Sequence, residues 1–131
     1  MARRFTAAPE HGSAVVDFVL VVVVLVPLFL GIVQVGLVLH VRNTLASAAS
    51  EGARYAAVVD RAPAEGVERA RRQIAGALAS RFARDVTAAA VTVQGAPGVR
   101  VDVRAEVPPL GLWGPAVRLE VSGHAIEEVT P

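Results

Sequence analysis

The sequence predicts an α+β chain in which a long N-terminal transmembrane helix continues into a small domain of one amphipathic helix and a three-stranded antiparallel sheet. Three observations predict it. From Phe18 to Leu39 the run FVLVVVVLVPLFLGIVQVGLVL holds 22 residues without an ionisable group. At 1.5 Å per residue that is about 33 Å of helix, enough to cross a bilayer once. Between Val67 and Phe82 apolar side chains recur every three or four positions, and in two later runs they recur every second position.

Met1 to Gly12 is short, polar and charged, and reads as a leader with no core-forming pattern. The apolar run follows, carrying Pro27 and Gly31, which a membrane helix tolerates because neighbouring groups take up the freed carbonyl. Gly31 and Gly36 are five apart and do not make the four-residue small-residue repeat of helix dimers. A secretory signal peptide cut near Ala46, Ser47 and Ala48 is the alternative, but the run far exceeds the usual 7–15 apolar residues. Arg3 and Arg4 before the span balance Arg42 and Arg54 after it, so charge does not set the orientation.

Beyond the span, VRNTLASAASEGARYAAVVD has no strong breaker, and Leu45, Ala49, Ala53 and Ala56 recur at helical spacing. One helix is therefore expected to leave the membrane and run on into water. Its narrow Ala side suits another helix or a sheet, and Glu51 with Arg54 would form a surface pair. Asp60, Pro63, Glu65 and Glu68 mark a break and restart. A second helix is expected over Pro63–Arg84, buried through Val67, Ala70, Ile74, Leu78 and Phe82, with pairs from Glu65 to Arg69 and Glu68 to Arg72.

The period then changes to two. Val99, Val101, Val103, Ala105 and Val107 alternate with Arg100, Asp102, Arg104 and Glu106, and Val117, Leu119 and Val121 alternate with Arg118, Glu120 and Ser122. A shorter strand, Val91–Gln94, precedes the turn signal Gly95-Ala96-Pro97-Gly98. The connection PPLGLWGPA, Pro108 to Ala116, holds the only tryptophan, Trp113, the candidate partner contact.

Composition excludes several functions. Net charge is +1, with 13 basic residues that are all Arg and 12 acids, so there is no basic stripe for nucleic acid. Without cysteine there is no disulfide, thiolate metal site or redox centre. His11, His40 and His124 have no metal-ligand spacing, and His40 reads as an interfacial side chain. Asp102, Glu106 and Glu120 sit beside Arg100, Arg104 and Arg118, which makes cross-strand ion pairs the reading for those carboxylates. No nucleophile elbow and no phosphate-binding glycine loop is present, so neither enzyme nor cofactor is expected. Asp17 is the one residue whose placement is costly, an acid about a turn inside the helix.

Three stretches carry a family resemblance. Gly12-Ser13-Ala14-Val15-Val16-Asp17-Phe18 resembles a processing site and the start of a mature pilin helix. Gly31-Ile32-Val33-Gln34-Val35-Gly36 resembles a G-I-x-E-x-G stretch, and Ser50-Glu51-Gly52-Ala53-Arg54-Tyr55-Ala56 an R-E-G-A-R-x-A stretch. The chain thus resembles the TadE-like pseudopilins of tight-adherence (Flp-type) pilus systems, relatives of type IV pilins. It departs from them with Asp17 and Gln34 where Glu is usual, and with a later proline, Pro27.

The resemblance implies a pilin-like fold and three segments: a cytoplasmic leader 1–12, cleaved after Gly12; a transmembrane and extended helix 13–60; and an extracytoplasmic domain 61–131. It also implies a structural role in the bacterial cytoplasmic membrane. The partners would be a prepilin peptidase, other pilin-like subunits, a secretion ATPase and a polytopic pilus-assembly platform membrane protein. Cleavage would create an α-amine on Ser13, four residues before Asp17 and on the same helix face. A different class of function is an uncleaved signal-anchored extracytoplasmic domain that binds an envelope ligand through the 108–116 connection.

Overall fold

The computed structural model describes residues 10–58, 60–110 and 114–128. Helix α1, Glu10–Ala56, is one unbroken helix of 47 residues, about 70 Å long, and runs through Pro27. Helix α2 spans Pro63–Ala77, a short 3-10 turn Ser80–Ala83, and the strands are β1 Asp85–Val93, β2 Ala96–Val107 and β3 Val117–Ile126. The three strands form an antiparallel sheet in the order β1-β2-β3. This is the predicted α+β architecture. Both helices lie on one face of the sheet, α1 over β2 and β3, α2 over α1 and β1.

The core lies between that face and the C-terminal third of α1. Val41, Leu45, Ala48, Ala49 and Ala53 of α1 and Ala70 and Ile74 of α2 meet Val86, Val101, Val103, Val107, Leu119 and Val121 of the sheet. The register explains the inward set: Val86 opposes Val103, which opposes Val121, and Ala88, Val101 and Gly123 form the next row. Strand side chains alternate between faces, so the same pairing sends Arg100, Asp102, Arg104 and Glu106 outward.

Several local expectations need correction. The second helix ends at Ala77 rather than Arg84, because Leu78 is extended (φ −133°, ψ 177°). Phe82 still reaches the core at 6% exposure, but from the 3-10 turn, which lets the chain reverse into β1. The first strand begins at Asp85, not Val91. Its inward Val86 and Ala88 alternate with exposed Thr87 and Ala89, a pattern with too little contrast in polarity to read as a strand. The β1–β2 turn is Gln94-Gly95, both at positive φ (49° and 84°), with Val93 opposite Ala96. That is the backbone a two-residue hairpin demands, and Ala96-Pro97-Gly98 belongs to β2.

Ion pairs also differ. Glu51 bonds Arg69 of α2 at 3.4 Å rather than Arg54. Glu65 accepts the Ala62 N–H at 2.7 Å, closing the first turn of α2, and Glu68 pairs with Arg71 at 3.6 Å instead of Arg72. On the outer sheet face Arg104–Glu120 (3.3 Å) and Arg118–Glu106 (3.1 Å) are the expected cross-strand pairs, whereas Arg100 bonds Asp102 (3.0 Å) along its own strand.

Candidate functional site

The residues singled out from sequence lie at three levels along α1. Gly12, Ser13 and Asp17 occupy its exposed first turns, and a Cβ added at Gly12 would meet nothing within 4 Å. From there to Val33 the helix is bare: Phe18 is 68% exposed, Val24 68% and Phe29 62%. The stretch is long and apolar enough to cross a membrane. Gly31 and Gly36 sit in open surroundings.

Gln34 marks the level at which the domain first touches the helix. Its Nε2 donates to the Pro108 carbonyl (3.2 Å), and its Oε1 accepts the Leu110 N–H (3.0 Å). The primary amide is both donor and acceptor, so one side chain satisfies a carbonyl and an N–H two residues apart. The 108–116 connection is thereby tied to α1 at its first residues. Trp113 lies outside the described residues.

The third level is a crossing of backbones. Gly52 faces Gly66 of α2: a Cβ on Gly52 would stand 2.6 Å from the Gly66 oxygen, and one on Gly66 would stand 2.6 Å from the Gly52 oxygen. Ala53 and Ala56 are buried beside this contact, and Glu51–Arg69 bridges its rim, while Arg54 is exposed. Tyr55 lies under the Arg61 guanidinium, 3.7 Å from ring centroid, where the chain turns towards α2. The Ala57 carbonyl at the end of α1 accepts the Glu128 N–H at 2.9 Å, so the tail beyond β3 closes the helix end. In the stretch Ser50–Ala56, then, small residues admit a second helix and Glu51 bonds it at the rim.

Two glycines outside the predicted set complete this arrangement. Gly66 stands mid-helix, and Gly123 stands mid-strand, where its missing side chain lets β3 lie against the α1 backbone at Ala49 and Ser50. An isolated glycine inside a helical or strand pattern is the signal for such close approach. Among the described residues, no group of three His, Asp or Glu side chains could hold a metal ion. The arrangement suits gripping and presenting a long helix.

Compared with known proteins, residues 12–54 match the family model of the TadE-like proteins. The match runs from the exposed first turns of α1 to the Gly52 crossing and leaves the sheet outside it. No curated protein and no solved structure matches the chain significantly.

Proposed function

We propose that the chain is a structural pseudopilin or minor pilin subunit of a tight-adherence pilus, a reading that the TadE-like match of residues 12–54 supports. The carrying observation is that the matched segment lies within one unbroken helix, bare and apolar at one end and built into a folded core at the other. Such a subunit can be stored in a membrane by its apolar end and present its domain outside.

In this reading the leader is cytoplasmic, α1 spans the cytoplasmic membrane once, and the sheet domain is extracytoplasmic. A prepilin peptidase cuts after Gly12, where the exposed helix start and the absent side chain favour access. The role is structural, and its partners are other pilin-like subunits and the membrane platform of the assembly machine. The test is the intact mass of the protein extracted from native membranes. A chain beginning at Ser13 supports the proposal, and a chain retaining His11 and Gly12 while the peptidase is present refutes it.

Cleavage also gives Asp17 a partner. An acid in an apolar helix is costly when unpaired, and the new Ser13 amine, preferably that of an adjacent subunit, offers the opposite charge. Asp17→Ala should insert as well as the parent yet lose its partners in co-purification from native membranes, and Asp17→Glu should retain them. Full recovery of partners by the alanine variant would leave Asp17 without a part in assembly.

A further inference from the structure

The sheet domain does not stand clear of the apolar run. If Leu39 marks the end of that run, Gln34 lies five residues inside it, roughly 7 Å deeper along the helix at 1.5 Å per residue. Pro108 and Leu110 are bonded to Gln34 and so share its depth. Over Pro108–Leu110 no backbone N–H is left without a partner. Pro108 and Pro109 have no N–H, and the Leu110 N–H is taken by Gln34. A segment entering the edge of a bilayer must satisfy its polar backbone internally. The side chains it offers are two prolines and Leu110, which is 45% exposed.

Pro108 also lines a cleft of about 850 Å³ at the same end of the sheet, on the face away from the helices. Arg81, Arg84, Arg104 and Arg118 line it together with the acids Asp85, Glu106 and Glu120. Arg104 and Arg118 are paired with Glu120 and Glu106, whereas Arg81 and Arg84 are exposed and make no ion pair among the described residues. An apolar turn at the depth of the span with arginines beside it matches the cross-section of a membrane interface, acyl chain below and phosphate above.

We propose that this end of the domain docks on the bilayer that α1 crosses, with Pro108–Leu110 in the interface and Arg81 and Arg84 on the phosphates of anionic lipid headgroups. Docking fixes the tilt of the domain over the membrane and holds the subunit against the surface before it is extracted. The inference rests on the reading of α1 as a membrane span.

The absence of cysteine from the chain makes the test direct. Nitroxide labels are placed by Leu110→Cys, by Val24→Cys in the span, and by Thr92→Cys at the far end of the sheet, each in the full chain. The vesicles are phosphatidylcholine, alone or mixed with phosphatidylglycerol. Collision with oxygen, which concentrates in lipid, is compared with collision with a water-soluble nickel chelate. The Leu110 label should follow the Val24 label rather than the Thr92 label. Its preference for oxygen should rise with phosphatidylglycerol, and Arg81→Gln with Arg84→Gln should abolish that rise.

A Leu110 label as open to nickel as Thr92, beside a lipid-buried Val24 label, overturns the docking and leaves the span intact. A Val24 label open to nickel overturns the span and the docking with it. A Leu110 label shielded from both agents means that a protein covers the turn, which also overturns the proposal. A Leu110 depth indifferent to lipid charge removes the arginines from it.

Discussion

The two halves of α1 both present apolar side chains and use them in opposite ways. From Ala14 to Val33 the helix carries large side chains, Val, Leu and Phe, and leaves them uncovered by protein. From Val41 to Ala56 it carries a face of small residues among polar and charged positions, and Leu45, Ala48, Ala49 and Ala53 on that face are wholly buried. Polar residues interleaved with small ones therefore mark the half that belongs to the core, and an uninterrupted run of large apolar ones marks the other. A lipid-facing helix gains from bulk, because acyl chains adapt to any shape. A helix that must approach other backbones gains from its absence, and Gly52 against Gly66 and Gly123 against Ala49 and Ser50 are where that approach is closest.

The comparison breaks most easily at those glycines. Gly123→Ala would set a Cβ against the Ala49 and Ser50 backbone, and neither element can move without opening the core on its other side. Overpacking of this kind costs about 1 to 3 kcal/mol and sometimes more. Gly123→Val should detach the sheet from the helix. Gly52→Ala should lose a similar amount by pressing on the Gly66 carbonyl. In the bare half Gly31→Ala and Gly36→Ala should be neutral or slightly stabilising, since nothing stands within 4 Å and alanine is the better helix former. Hydrogen exchange of the Val101 and Val103 amides, measured on the full chain in micelles, separates these outcomes. Equal losses at Gly31 and Gly52 would mean that the two halves are not distinct.

How much of this could be read from the sequence follows the same division. The span and the strands β2 and β3 are legible because each shows strong contrast, twenty-two residues without charge in one case and valine alternating with Arg, Asp or Glu in the other. Strand β1 is legible only in its last third, since Thr and Ala on opposite faces look alike to a periodicity argument. The end of α2 is hidden because Leu78 and Phe82 continue the helical stripe in sequence while the chain has already left the helix. Ion-pair partners are hidden for a different reason: Glu51 chooses between Arg54 and Arg69 according to a helix crossing that local spacing does not encode. The stretch around Gly52 stands out through its resemblance, whereas its counterpart Gly66 is marked only as an isolated glycine inside a helical pattern.

Gln34 sharpens the comparison at the boundary between the halves, and with a smaller effect. Resemblance alone marks this position, and nothing local announces that its partners lie 74 and 76 residues away. The amide works here because Pro108 presents an acceptor and Leu110 a donor. Glutamate, the residue usual at this place in the proteins the chain resembles, could keep the Leu110 bond but would turn a carboxylate oxygen towards the Pro108 carbonyl. Gln34→Leu removes both bonds at about 1 kcal/mol each, so the Leu110 amide should exchange roughly 5- to 30-fold faster. The Val101 amide should be almost unaffected, because the core begins only at Val41. Gln34→Glu should fall between the parent and leucine at neutral pH, because it keeps the Leu110 bond and loses the donor to Pro108. If Gln34→Glu instead protects Leu110 as well as the parent does at neutral pH, the Pro108 bond adds nothing and the Leu110 N–H alone ties the turn to the helix.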